Sequence, residues 1–380
     1  MNGFYLLIYA VLFVSNIMNM AYSSIDKSKL LAQLGVTIES NSVKSLIYGL
    51  WIDGNPVSID ALGVSMTGVP ATTKMHFRIG GVNETIQTTM LMQLVERNKI
   101  KLNDPISPWF PTFPKADKIT IKMLANSTSG IPDYVYNPKF LEIGDKDPFK
   151  KWTTGDLLDY AFLDDKKDFN FEPGTSQQYS HTNYVMLGHI LEQVSKQKTN
   201  QLMKAFILDK LNMAETGFEL TASMPQPVLH SFSEERKIYE DATFWDPSWT
   251  SYAGAVYSTI HDLGKWGNAW MEGTLISAAS TEQLRAPDTA GKGNNTQENY
   301  FAMGFIVKNH WLIQNPAFGG YSGVIGVLPE KKIVFIAYNT MEKISDKENE
   351  ISSKNQSVEL FKEIVKKYAP EYPLLINSRH

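Results

Sequence analysis

Gly81 and Glu84 stand three residues apart at the head of a periodic apolar run, Val82, Ile86, Met90, Leu91, Leu94 and Val95. The spacing predicts an amphipathic helix with both positions on its first turn, one above the other. Arg97 and Lys99 suit its C-terminal end. A hydroxyl at the first position and a base at the second would open an amide or ester. Here the first position has no side chain and the second carries an acid. Two literal Ser-x-x-Lys matches occur elsewhere, at Ser24 to Lys27 and at Ser195 to Lys198. One lies beside an apolar N-terminal segment and the other at the polar end of a predicted helix, so neither has the context the chemistry needs. His76, His181, His189, His230, His261 and His310 are scattered without metal-ligand spacing, and the chain has no Cys. No metal or other cofactor is expected.

The surrounding chain sets the bounds. Its 380 residues, 43% of them hydrophobic, are enough for a large core, and a net charge of −4 spread along the chain offers no basic stripe. Nucleic acid is excluded as a partner. Phe4 to Val14 is an almost unbroken apolar run, followed by Ala21, Ser23 and Ser24. Residues 1–23 therefore read as a signal peptide or signal-anchor, and the protein as exported, periplasmic or secreted. If the segment is retained, residues 4–21 would anchor the protein in a membrane. Without Cys, export would rely on core packing rather than disulfides.

Short apolar runs at Ser45 to Tyr48 and Asp60 to Val64 flank Asp53-Gly54-Asn55-Pro56, which reads as a hairpin. Helical periods dominate from about 147 to 273: Thr154 to Phe162, Thr182 to Val194, Leu202 to Leu211 and Thr259 to Met271. Thr259 and Asp262 have capping-box spacing, which gives His261 between them a structural setting. Strand patterns return at Met303 to Val307, Trp311 to Gln314, Val324 to Leu328 and Lys332 to Tyr338, and a last helix spans Val358 to Tyr368. Strands at both ends with helices between predict one α/β lobe made from both termini and an inserted helical lobe. The aromatic cluster Phe244-Trp245-Asp246-Pro247-Ser248-Trp249 with Tyr252 suits either core packing or a cleft wall.

These landmarks resemble the penicillin-recognising serine hydrolases: class C β-lactamases, D-alanyl-D-alanine carboxypeptidases and related esterases. The likeness rests on Phe77-Arg78-Ile79-Gly80, on Thr128-Ser129-Gly130-Ile131-Pro132-Asp133-Tyr134 and on Phe171-Glu172-Pro173-Gly174. It continues through Tyr179-Ser180 with Asn183-Tyr184, Leu211-Asn212-Met213 with Thr216-Gly217-Phe218, and Ala253-Gly254 with Ser258-Thr259. It implies a β-lactamase-like α/β fold, an antiparallel sheet flanked by helices, over residues 24–370. The α/β lobe would take about 35–115 and 300–370, the helical lobe about 116–299, and 371–380 would be a tail.

The resemblance also implies three catalytic motifs, and all three are altered. Ser-x-x-Lys falls on Gly81 and Glu84; Tyr-x-Asn falls on Tyr179, Ser180 and His181; the basic-x-Gly triplet falls on Gly320, Tyr321 and Ser322. An oxyanion hole would use backbone N–H groups at Gly81 and near Gly323. Loss of the nucleophile alone removes on the order of a millionfold in turnover from such a unit. Exchange of two cations for one anion should repel penicillin-like anions, by roughly 4 kcal/mol per like-charge contact at about 4 Å. The expectation is an exported binding or regulatory pseudoenzyme, holding an unidentified small molecule or peptide between its lobes. The alternative is a hydrolase rebuilt on Glu84, Tyr179 and His181. Were the nucleophile elsewhere, Ser129, Ser180 or Ser322 would be the serine to test. For Glu84 and His181 the favoured role is an ion pair or hydrogen bond with each other in the old network's place.

Overall fold

The computed structural model describes residues 43–163, 168–343 and 355–374. The signal segment and Ser24 to Lys27 lie outside the described residues. So does most of the C-terminal tail.

The N-terminal hairpin forms as its turn cluster demands. Strands β1 (Val43–Ile52) and β2 (Asn55–Met66) meet at Asp53 and Gly54, whose φ of +51° and +74° suit a tight turn between twisted strands. β1 then pairs with a strand from the other end of the chain. With β3 (Asn299–Phe301), β4 (Ile306–Lys308), β5 (Trp311–Gln314), β6 (Tyr321–Leu328) and β7 (Ile333–Met341), the antiparallel order is β2-β1-β7-β6-β5-β4-β3. Ile47 lies opposite Tyr338, and Val324 opposite Ala337.

Both faces of this sheet are apolar, so both must be covered. Along β1 the side chains alternate: Ile47 and Trp51 join the core on one side, while Leu46, Tyr48, Leu50 and Ile52 join the core on the other. The second face is capped by a C-terminal helix, Gln356–Tyr368, which supplies Leu360, Phe361, Ile364 and Val365. On the first face the core continues through helix α1 (Val82–Glu96), α2 (His181–Ser195), which packs on α1, and α3 (Ile260–Glu272), which packs on the strands; the C-terminal helix is α4. The expected helices at 154 and 202 are shorter or interrupted: Thr154–Asp159, and a run broken by a wide turn at Lys204–Leu208.

Helix α1 forms where its apolar spacing predicts, and its polar side is buried as well as its apolar one. Every residue from Val82 to Leu94 is buried. Its polar side chains are spent on the neighbouring lobe: Asn83 donates to the Tyr252 carbonyl at 2.6 Å, Gln87 to Tyr184 at 3.1 Å and Gln93 to Phe206 at 3.2 Å. Trp266 of α3 donates its indole N–H to Thr85 Oγ1 at 3.1 Å. A helix bonded on its polar side and packed on its apolar side is a fixed central post.

The helical stretch also contains a small sheet the periodicity did not reveal, in which Val256–Ser258 pairs with Phe77–Arg78 and with Gly217–Phe218. It holds the turn that leads into α1. Ile79 N–H donates to the Val256 carbonyl at 3.0 Å, Tyr338 Oη donates to the Ile79 carbonyl at 2.9 Å, and buried Arg78 donates to the carbonyls of Glu219, Thr221 and Ser223. At Gly80, φ is +52° and a β-carbon would lie 2.8 Å from Pro316 Cβ, so only glycine fits without a shift.

Candidate active site

The first turn of α1 begins at Gly81, whose backbone is already helical and which offers no side-chain cap. A β-carbon there would sit 3.1 Å from Gln314 Oε1 and 3.5 Å from Glu84 Oε1. The space a nucleophile's side chain would occupy is therefore walled by the Glu84 carboxyl and by an amide from the end of β5.

Glu84 is 1% exposed. It accepts a hydrogen bond from Tyr179 Oη on Oε1 at 2.5 Å and one from Gln314 Nε2 on Oε2 at 3.1 Å. Burial holds its carboxyl well above the usual carboxylate range, and the negative charge of Asp133 pushes the same way against those two hydrogen bonds. Burial likewise raises the Tyr179 phenol, with Glu84 adding to the effect. The phenol thus stays a donor. Gln314 also donates to the Gly304 carbonyl at 2.6 Å, so the sheet edge is fastened to the helix directly over position 81.

His181, the first residue of α2, does not pair with Glu84. Its Nδ1 lies 2.9 Å from Asp133 Oδ2, and Asp133 also caps the turn at Tyr134 by accepting from Val135 N–H. The expected Glu84–His181 contact is thus corrected: a carboxylate preceding Tyr134, 4% exposed, reaches the imidazole. His181 still belongs to the cluster, with its ring centroid 5.0 Å from Tyr179, 6.2 Å from Tyr134 and 6.3 Å from Trp249.

The third motif does not come to the cluster as expected. Gly320 has φ of +82°, and a β-carbon there would lie 2.2 Å from the Phe232 carbonyl oxygen, which shuts the position to a basic side chain. Tyr321 turns into the core and donates to the Leu229 carbonyl, while the Ser322 carbonyl is taken by Ser357 Oγ at 3.2 Å. Gln314 and Phe318 stand there instead. Phe318 is buried, its ring centroid lies 5.4 Å from that of Trp249, and its Cβ lies 3.6 Å from where a β-carbon on Gly80 would be. The oxyanion-hole expectation is corrected at one of its two donors: Gly323 N–H already donates to the Pro316 carbonyl at 2.9 Å.

Two of the three alternative serines have other employment. Ser129 Oγ donates to Asn183 Oδ1 at 2.6 Å and accepts from Ile131 N–H, and Ser180 Oγ donates to the Pro132 carbonyl; both are buried. Ser195 bonds the carbonyls of Glu192 and Gln197 at the end of α2, and Lys198 pairs with Glu192. The histidines make separate contacts: His76 with Glu215 and the Pro227 carbonyl, His230 with Asp241, His310 with Glu330 and His261 with Thr73. Among the described residues no three His, Asp or Glu side chains group as metal ligands would. The aromatic stretch divides: Trp249 faces the site, whereas Tyr252 is core, stacked on Phe218 at 5.9 Å.

Sequence reasoning missed Gln314 and Asp133 as members of the site. Asp133 lay inside a recognised motif, yet nothing local says which way its carboxylate points. Gln314 ends an otherwise apolar strand, and a polar residue there was the only signal.

This arrangement of sheet, central helix and altered first turn meets its relatives at the family level. The β-lactamase family model matches residues 35–351, and the chain belongs to that family. A penicillin-binding protein of Bacillus subtilis is 24% identical over 63% of this chain and 54% of its own length. Protein flp of Staphylococcus aureus is 27% identical over 69% of this chain and 52% of its own. The chain thus spans about half the length of these curated relatives. Among solved structures, the D-amino acid amidase of Ochrobactrum anthropi SV3 superposes with a TM-score of 0.72 at 21% identity, over 88% of this chain and 99% of that one. The penicillin-binding protein homologue of Pyrococcus abyssi gives 0.72 at 21% identity, over 83% and 74%. At these identities the superpositions establish the shared fold.

Proposed function

We propose that this protein is an exported binding or regulatory member of the β-lactamase family that has lost Ser-x-x-Lys acyl transfer. The observation that carries the reading is the sealed first turn of α1. Position 81 has no side chain, and Glu84 is buried beneath Tyr179 and Gln314. Acyl transfer needs an oxygen nucleophile and a base able to take its proton. A carboxyl whose burial favours the protonated form supplies neither. Export rests on the apolar run from Phe4 to Val14 and the small residues after it.

A fluorescent penicillin and a fluorophosphonate probe, each followed by intact mass, test the loss. The expected result is an unmodified chain; a stoichiometric adduct on any serine ends the reading.

One observation favours a second reading. The Tyr179–Glu84 hydrogen bond puts a buried carboxyl and a phenol 2.5 Å apart, a contact along which one proton can pass. A hydrolase rebuilt on Glu84, Tyr179 and His181 would use it. Esters and D-amino acid amides, the latter chosen because a structural neighbour is an amidase of that class, separate the readings. Turnover abolished by both Glu84→Gln and His181→Ala supports the rebuilt hydrolase, and no turnover in the unaltered protein removes it.

A further inference from the structure

One ring nitrogen of His181 is spoken for and the other is not. Its Nδ1 lies 2.9 Å from Asp133 Oδ2, while the second oxygen of that carboxylate accepts from Val135 N–H at 3.2 Å. A carboxylate only accepts, so Nδ1 carries the hydrogen and the neutral ring keeps its lone pair on Nε2. Among the described residues Nε2 has no hydrogen-bond partner, and the side chain is 24% exposed, so the lone pair is open to a donor from solution.

The surroundings of that nitrogen are aromatic. Trp249, itself partly exposed, has its ring centroid 6.3 Å from that of His181. Its position is fixed from two sides: Tyr134 Oη donates to the Trp249 carbonyl at 2.7 Å, and Phe318 packs on the indole with centroids 5.4 Å apart. Tyr179 meets the imidazole edge to face at 5.0 Å. The charge there is negative. With a neutral imidazole the His181–Asp133 pair carries one negative charge. Burial raises the pKa of Glu84, Tyr179 and Tyr134, Asp133 adds to all three, and no lysine or arginine opposes it.

We infer that the cleft takes a ligand bearing a protonated primary amine beside a flat apolar group, its N–H donating to His181 Nε2 and its apolar group resting on Trp249. An aromatic ring and a nearby negative charge both attract an ammonium and disfavour a carboxylate. Asp133 is a positioning residue here: it holds the imidazole in the tautomer that accepts. This inference rests on reading the protein as a binding member without acyl transfer, and it names the class of ligand.

Benzylamine, benzyl alcohol and benzoate share one ring and differ in charge, so titrating each into the full chain tests the class. Calorimetry should find benzylamine bound about tenfold tighter than benzoate, with benzyl alcohol between them. Nitrogen NMR of labelled histidine should show Nδ1 of His181 protonated in the free protein and Nε2 shifting as benzylamine is added. Asp133→Asn removes the charge and the tautomer lock, and should bring benzylamine and benzoate to within about threefold of each other. Benzoate binding as tightly as benzylamine, benzylamine binding without a shift at Nε2, or no binding of either overturns the inference. Any of these on a chain that penicillin and fluorophosphonate leave unmodified strikes the ligand class alone, whereas an adduct strikes the loss of acyl transfer. If Asp133→Asn fails to fold, the three ligands on the unaltered protein still decide.

Discussion

Tyr179 Oη lies 2.5 Å from Glu84 Oε1, and this contact joins the helical lobe to the first turn of the central helix. The phenol donates, the carboxyl accepts, and Gln314 closes the other side at 3.1 Å. The site is therefore a satisfied polar cluster in which the acid serves as the hub.

Glu84 should make the protein lose stability as pH rises. Its folded pKa is raised, by burial first, so its contribution is fully present below the unfolded carboxyl value and disappears as pH climbs through the folded one. Over that interval the slope is about 1.4 kcal/mol per pH unit for one proton. Urea midpoints measured between pH 5 and pH 9 should fall in the unaltered protein and flatten in Glu84→Gln. A Glu84→Gln protein with an unchanged pH slope would show that the carboxyl ionises without penalty.

The imidazole's partner can be assigned energetically. His181 and Asp133 are in direct contact at 2.9 Å, whereas His181 reaches Glu84 only through the Tyr179 ring. A double-mutant cycle of His181→Ala with Asp133→Asn should give a coupling of about 1 kcal/mol or more, and the cycle of His181→Ala with Glu84→Gln less than half of that. The reverse ranking would restore the direct ion pair expected from sequence.

Gln314→Ala removes the donor to Glu84 Oε2 and to the Gly304 carbonyl, both buried. Leaving them unpaired should cost about 1–3 kcal/mol. Chemical denaturation measures this, and a loss near zero would mean that water replaces the amide and the sheet edge is not fastened to the helix.

Rebuilding the motif should expose what remains of the scaffold. Gly81 has φ of −60°, so serine is compatible with the backbone, and only Gln314 Oε1, the end of a flexible side chain, must give way. Gly81→Ser should stay within about 1 kcal/mol of the unaltered protein, since replacing glycine at a compatible φ restricts the unfolded chain and offsets the small shift of Gln314. Intact mass after fluorophosphonate treatment should show no adduct with Gly81→Ser alone, because Glu84 is not a free base. An adduct with the single variant would mean that the carboxyl ionises readily beside the hydroxyl.

The amino-acid sequence by itself determined the family, the hairpin at Asp53-Gly54, the helix beginning after Gly81 and the absence of a hydroxyl and an amine at its head. Each of these is written in contiguous residues: turn chemistry, periodicity, or the identity of a side chain at a motif position. Tertiary structure decided who meets whom. Periodicity read α1 as amphipathic because a one-dimensional pattern cannot show that carbonyls of Tyr184, Phe206 and Tyr252 would bind its polar side. Motif alignment brought Gly320 to Ser322 near the site, but the closeness of Phe232 to Gly320 turns that segment and leaves Gln314 and Phe318 in its place. Asp133 reaches His181 across 48 residues, and Gln314 reaches Glu84 across 230. Contacts at such separations depend on strand register and on the angle at which a helix enters the core, which is why they appear only once the chain is folded.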